Sequence, residues 1–207
     1  MVRLTEESRG RPRTFDETEV LNNSIPIFLK HGFFGISISE LLDAIGMERS
    51  SFYLAFGDKE SFYCQVLDCY HQRAFGDMKS FLDNESDFVT GFDQVIDYFY
   101  ENSTRDKFNY GCLTANAATE IEVKNTKINH TVQTIRNQMV DLFDQRLKRG
   151  IRDGQISPSI DTKASAQFLK CCLDGMAVHA RGHRDLESIG QIRDNIRQII
   201  RGYRIAG

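Results

Sequence analysis

Residues 33–63 read as two short helices joined by a tight glycine turn, with a third helix starting just behind. This stretch constrains the fold more than any other. Ser37 followed three residues later by Glu40 is a capping box, in which each side chain covers a backbone N–H that the first helical turn leaves bare. Ile38, Leu41, Leu42 and Ile45 then fall on one apolar face, and Gly46 sits where the chain must turn sharply. A second helix is expected from about Glu48 to Ala55. It is too short to be stable alone, and Phe52 and Phe56 can hold it against its neighbours by burial. Its other face carries Arg49, Ser50, Ser51 and Tyr53, rich in hydrogen-bonding groups and poor in apolar ones. The pattern is a helix-turn-helix, whose polar second helix suits the major groove of DNA.

The rest of the chain continues the helical pattern. Residues 1–14 are polar around Arg9-Gly10-Arg11-Pro12-Arg13 and are expected to be a disordered basic arm in the absence of DNA. Asp16 can cap a first helix that carries Val20, Leu21, Ile25, Phe28 and Leu29 to His31, with Gly32 as its stop; Pro26 inside it predicts a kink. Asp58 caps a further helix from Lys59 to about Phe75, and more helices are expected near 87–102, 112–122 and 125–152. Gly154 and Pro158 mark a turn. The next helix, from Asp161 to about Ala180, is rich in small residues, and Gly182 is expected to end it. From about Glu187 to Tyr203, Ile189, Ile192, Ile196, Ile199, Ile200 and Tyr203 form one apolar stripe opposed by Arg193, Asp194, Arg197, Gln198 and Arg201. By periodicity alone that stripe fits a core or an interface. No sustained strand pattern, repeat or low-complexity tract is apparent, so the fold class is all-α.

With 41% hydrophobic and 27% charged residues among 207, the chain has the composition of an ordinary soluble globular protein. Its net charge of −3 is unusual for a DNA binder, and residues 1–60 alone hold seven Lys/Arg against ten Asp/Glu. Phosphate affinity must then rest on locally placed cations. Cys64, Cys69, Cys112, Cys171 and Cys172 form no zinc-type Cys-x-x-Cys pair, and an odd count fits poorly with a secreted disulfide framework. The polar amino terminus lacks a signal-peptide core, and no apolar run approaches a membrane span, so a cytoplasmic protein with reduced thiols and no membrane contact is expected.

His31-Gly32-Phe33, Ser37-x-x-Glu40-Leu41, Ala44-x-Gly46 and Ser51-Phe52-Tyr53-x-x-Phe56-Gly57-Asp58-Lys59-Glu60 together closely resemble the TetR family of one-component transcriptional repressors. The resemblance implies an all-helical homodimer: an amino-terminal three-helix DNA-binding domain over residues 15–60 and a larger ligand-binding and dimerisation domain over 61–207. Its implied partners are a second copy, a double-stranded operator and a small-molecule inducer, with no cofactor. A two-fold protein presents two equivalent recognition helices, so the operator should be palindromic. By matching family positions, Tyr53 and Lys59 contact phosphates. Arg49, Ser50 and Ser51 are the candidates for base edges, since arginine can make two hydrogen bonds to guanine. Arg9 and Arg11 resemble the core of an AT-hook and could enter a minor groove ahead of the motif.

Family resemblance also implies that the last two helices pack into an intersubunit four-helix bundle, which makes Cys172, Gly175, Ile189, Ile192, Ile196, Ile199 and Tyr203 dimerisation candidates. It places Phe75, Phe92, Tyr98, Phe99 and Tyr110 on segments that enclose the ligand cavity, although core packing explains most of them equally well. Residues 110–120 resemble a Gly-Cys-Leu-x-x-Asn-x-Ala-x-Glu signature found in one branch of the family, some of whose members respond to electrophiles or oxidants. Cys112 is there either a sensor near a helix N-terminus or a packing residue.

The reading that follows is a homodimeric repressor released from its operator by a small-molecule inducer or by cysteine modification. A regulator of the same family acting as activator or without inducer is the alternative. A helical enzyme using Cys112 with His71 or His130 is a remote one, since no local catalytic signature supports it. No catalytic residue and no metal site is assigned. His179 and His183 have a ligand-like spacing, but no carboxylate stands as an obvious third ligand.

Overall fold

A computed structural model of the chain describes residues 15–104, 110–120, 126–183 and 185–205. The described residues form nine helices: α1 (Glu17–His31), α2 (Ile38–Ile45), α3 (Arg49–Phe56), α4 (Lys59–Asn84), α5 (Phe88–Thr104), α6 (Leu113–Glu120), α7 (Thr126–Arg152), α8 (Thr162–His183) and α9 (Leu186–Gly202). Only an isolated bridge between Ile156 and Arg204 departs from the all-helical plan among them.

The local signals act where expected. Asp16 accepts from the amides of Thr18 and Glu19 and starts α1. Pro26 lies inside that helix, which runs on uninterrupted to His31. Both halves of the Ser37/Glu40 capping box are present. Gly46, with φ +66° and ψ +34°, ends α2 in the left-handed conformation that an L side chain rarely adopts. Asp58 accepts from the Ser61 amide at 2.7 Å and starts α4.

Two helices run further than expected. α4 passes through Gly76 to Asn84, because Met78 and Leu82 continue its apolar face and are 2% and 1% exposed. α8 likewise passes through Gly182 to His183. At a rise of about 1.5 Å per residue, α4 is about 39 Å long. Its first half (Phe62, Tyr63, Val66, Leu67) shares a core with α1–α3, Leu113 and Ala117 of α6, and Ile128, Val132 and Ile135 of α7. Its second half (Met78, Leu82) joins a separate core built from α5, α7, α8 and α9. Packing therefore runs across the expected boundary at residues 60/61, and α4, α6 and α7 bind the two ends of the molecule together.

Candidate DNA interface and ligand cavity

α3 is held from behind by aromatic rings. Phe52 and Phe56 are essentially buried and lie 4.9 and 4.8 Å, centroid to centroid, from Phe62 of α4. That anchorage sets the opposite face outward. Arg49, Ser50 and Tyr53 are exposed, and Ser51 is half-buried. The Arg49 Nη2 donates to Ser39 Oγ at 2.9 Å, tying α3 to the start of α2 rather than to a neighbouring carboxylate. Leu54, which sequence reasoning missed, is 87% exposed and stands beside Tyr53 on the same face; Phe34, in the α1–α2 loop, is 64% exposed. The place of Leu54 off the Phe52/Phe56 face was the available signal. Arg9 and Arg11 lie outside the described residues.

Lys59 is placed differently from a free surface cation. Its Nζ donates to the carbonyls of Phe33 and Ile36 and sits 4.5 Å from the centroid of the Phe33 ring. Burial pulls its pKa below the ordinary lysine range, and the Glu40 carboxylate opposes that shift. Lys59 thus clamps the α1–α2 loop first. A phosphate would meet whatever hydrogen-bonding capacity remains.

A cavity opens among α4, α5, α6, α7 and α8, lined by Tyr70, His71, Tyr98, Phe99, Asn102, Ser103, Cys112, Met139 and Lys170, with further apolar contacts from Ala74, Met78, Ile135 and Ala177. Space for the centres of water-sized molecules is about 50 Å³.

Of the proposed ligand-site residues, Tyr98, Phe99 and Cys112 line this cavity. Phe92 is not: it is 1% exposed and packs between Phe88 and Phe143, with centroids 5.0 and 5.8 Å away, as plain core. Phe75 packs tilted against His71, centroids 5.2 Å apart, outside the lining. Tyr110 offers its carbonyl to Asn116. Tyr70, His71, Asn102, Ser103 and Lys170 were missed, because periodicity does not say which way a helix face points.

The turn before α6 presents Cys112. Gly111 has φ +81°, and a Cβ there would fall 3.0 Å from Asn116 Oδ1 and 3.2 Å from the Ala177 carbonyl. The Asn116 amide donates to the Cys112 carbonyl at 2.8 Å, and its side chain donates to the Tyr110 carbonyl at 2.7 Å. Gly111 and Asn116 therefore build the loop that sets the thiol at the cavity. Burial first, and then the neighbouring Cys112 sulfur, push Tyr70 well above the ordinary phenol range, so its hydroxyl stays protonated. His71 is buried with Nε2 2.7 Å from Gln138 Oε1, and burial lowers its pKa. Lys170 is 4% exposed and paired with Asp174.

The dimerisation candidates divide. Ile189 and Ile196 are 1% and 3% exposed inside their own subunit, and Ile192, Tyr203 and Cys172 pack partly against the same core. Those buried isoleucines are corrections to an interface role: the α9 stripe is consumed against α5 and α8, while Arg197 and Arg201 pair with Asp93 of α5 on its flank. Ile199 is half-buried. The outward apolar face lies on α8 instead, where Phe168, Cys171, Gly175 and Val178 are exposed at helical spacing. All five cysteines are free. His179 Nε2 lies 3.1 Å from Ser188 Oγ. No group of three or more His, Cys, Asp or Glu among the described residues could hold a metal ion. No described helix is long and apolar enough to cross a membrane.

Residues 92–196 match the family model described as Tetracyclin repressor-like, C-terminal domain. Among curated proteins, the chain is 29% identical over 194 residues to the HTH-type transcriptional repressor ComR of Escherichia coli K12, covering 92% of this chain and 91% of that protein. It is 25% identical over 177 residues to the HTH-type transcriptional repressor NemR of the same strain, covering 83% and 87%. Among solved structures, a cysteine mutant of the TetR family regulator CifR complexed with 26-bp double-strand operator DNA superposes with a TM-score of 0.82 at 26% identity, covering 91% of this chain and 98% of that one. The reduced form of E. coli NemR shares the fold, with a TM-score of 0.76 at 22% identity and coverage of 92% and 98%.

Proposed function

This chain belongs to the TetR family of transcriptional regulators, and from that membership we propose a homodimeric, cytoplasmic repressor that grips a palindromic operator with two copies of α3 and lets go when the Cys112 cavity is filled or its thiol modified. Residues 15–60 serve as the DNA-binding domain, preceded by an arm over 1–14 that reaches the minor groove, and 61–207 bind the inducer and the second copy. The outward stripe of α8 supplies the dimer contact. Arg49, Ser50 and Ser51 face base edges, and Tyr53 with Lys59 approaches phosphates. CifR, captured on operator DNA with this fold, supports the DNA half of the reading.

The observation that carries the inducer half is the presentation of Cys112: a glycine-built turn sets its sulfur in a small cavity beside the protonated hydroxyl of Tyr70. Such a site suits a compact electrophile. The sulfur adds to the electron-poor carbon of an activated alkene, the thiol proton ends on the adjacent carbon, and no oxidant is consumed. We assign no catalytic role. His71 shares the cavity, but its described hydrogen bond goes to Gln138, and His130 is exposed elsewhere.

Selection from random duplexes followed by footprinting tests the DNA half, and a symmetric footprint is expected. N-Ethylmaleimide tests the inducer half. It should label Cys112 faster than the half-buried Cys172 and release operator DNA, and Cys112→Ser should bind operator but resist release. Normal release from Cys112→Ser makes Cys112 a packing residue and the inducer a reversibly bound molecule. A single half-site bound with full affinity sinks the dimeric reading.

A further inference from the structure

Both ends of α6 are engaged. Cys112 at the cavity precedes its first residue, and its last residue, Glu120, reaches out of the regulatory half altogether. Glu120 Oε2 accepts from the amide of Phe33 at 3.3 Å, just past the glycine that ends α1. Its Oε1 accepts from Arg181 Nη1 of α8 at 3.0 Å. Gly32 has φ +68°, and a Cβ there would lie 2.2 Å from Glu120 Oε2, so the carboxylate occupies space that only glycine leaves open. The same loop is held from the other side by Lys59, which takes the Phe33 carbonyl and covers the Phe33 ring. Phe33 is therefore gripped at its N–H by the regulatory half and at its C=O by the DNA-binding half. Tyr63, fully buried with its ring 5.2 Å from that of Phe33, leaves its hydroxyl without a hydrogen-bond partner at this junction.

We propose that Glu120 is a positioning residue, a carboxylate latch through which the state of the Cys112 cavity sets the placement of the helix-turn-helix, and that the latched form is the one competent for operator. This rests on the reading that Cys112 and its cavity receive the inducing signal. In the form with Glu120 on Phe33, the space at Cys112 is small, about 50 Å³. An adduct on Cys112 needs more space and must displace the first turn of α6. An eight-residue helix about 12 Å long moves as one body, so Glu120 moves with it. Two ends of one rigid element then report on one equilibrium, the physical requirement for coupling between sites.

The test uses full-length protein with Cys69, Cys171 and Cys172 replaced by serine, with and without N-ethylmaleimide on Cys112, and reads three quantities: operator affinity, melting temperature, and hydrogen exchange at the Phe33 amide. Labelling should weaken operator binding at least about tenfold, within the usual range for coupled sites, and accelerate Phe33 exchange by a similar factor. Unlabelled Glu120→Ala should already bind as weakly as the labelled parent, exchange Phe33 quickly, and lose nothing more on labelling. Arg181→Ala, which leaves the Phe33 contact in place, should keep most of the response. A folded Glu120→Ala that binds operator at parental affinity overturns the latch, as does one whose loss simply adds to that of labelling. If labelling releases no DNA, the sensing role of Cys112 fails. The latch still stands or falls on the affinity and Phe33 exchange of unlabelled Glu120→Ala.

Discussion

Leu54 turns 87% of its surface to water on a face otherwise built of Arg49, Ser50 and Tyr53. In a major groove the apolar group that such a side chain can cover is the thymine methyl. Replacing thymine by uracil in the operator removes that methyl and nothing else. At one position per half-site it should weaken binding several-fold for the parent and leave Leu54→Ala unmoved. Equal effects on both proteins exclude Leu54 as a reader. Lys59 poses the opposite problem, since its ammonium already serves the Phe33 and Ile36 carbonyls. Lys59→Ala should therefore lower the melting temperature as well as weaken all duplexes alike. The two hydrogen bonds to a charged donor are each worth about 1.5–3 kcal/mol. Loss of DNA binding at unchanged stability would show that its phosphate role dominates.

Among the elements, α8 and α9, both expected at a dimer interface, part company. α9 has the stronger stripe, yet Ile189, Ile196 and Ile200 are spent inside the subunit, whereas the more modest α8 leaves Phe168 and Val178 47% and 43% exposed. Phe168→Asp with Val178→Asp should therefore give a folded monomer, by sedimentation and circular dichroism, that has lost most operator affinity. Ile196→Asp should instead fail to fold, since a carboxylate would enter a dry core. A double variant that remains dimeric would move the interface elsewhere. The contrast shows what a single chain makes legible. Caps and stops are local: Asp16, Ser37 with Glu40, Gly46 and Asp58 act within four residues of where they stand, and each can be read from the sequence. A glycine is not always such a stop, and Gly76 and Gly182 lie inside helices that run on past them. The direction of a stripe depends on which neighbour arrives, and that is tertiary information.

Across the whole molecule the same distinction governs the site. Cys112 was legible through the residues around it, but Tyr70, His71 and Lys170 reach its cavity from α4 and α8, and the Glu120–Phe33 contact joins positions 87 residues apart. No local pattern encodes such meetings. His71 makes their energetic consequence measurable. It is 4% exposed, its Nε2 faces Gln138 Oε1, and Asp68 and Lys170 are the charged groups that act on it. Burial lowers its folded pKa, with the Gln138 hydrogen bond opposing. The unfolded chain thus binds a proton on this ring at a higher pH than the folded chain does. Its contribution to stability is complete above the unfolded value of about 6.5 and is lost as pH falls towards the folded one. The lowered carboxylates, Glu40, Asp58, Asp87, Asp144 and Asp194, withdraw their contributions only when pH falls below the ordinary carboxylate range, near 4. Asp68, whose pKa burial raises, works weakly in the other direction. Denaturant unfolding at fixed protomer concentration should accordingly show a first loss of stability between about pH 7 and pH 5.5, ahead of the carboxylate limb. His71→Gln, which keeps a neutral hydrogen-bonding group against Gln138, should flatten that first limb and leave the lower one in place. An unchanged first limb in His71→Gln would assign the loss to another group and mean that His71 takes up its proton at the same pH in the folded and unfolded chain.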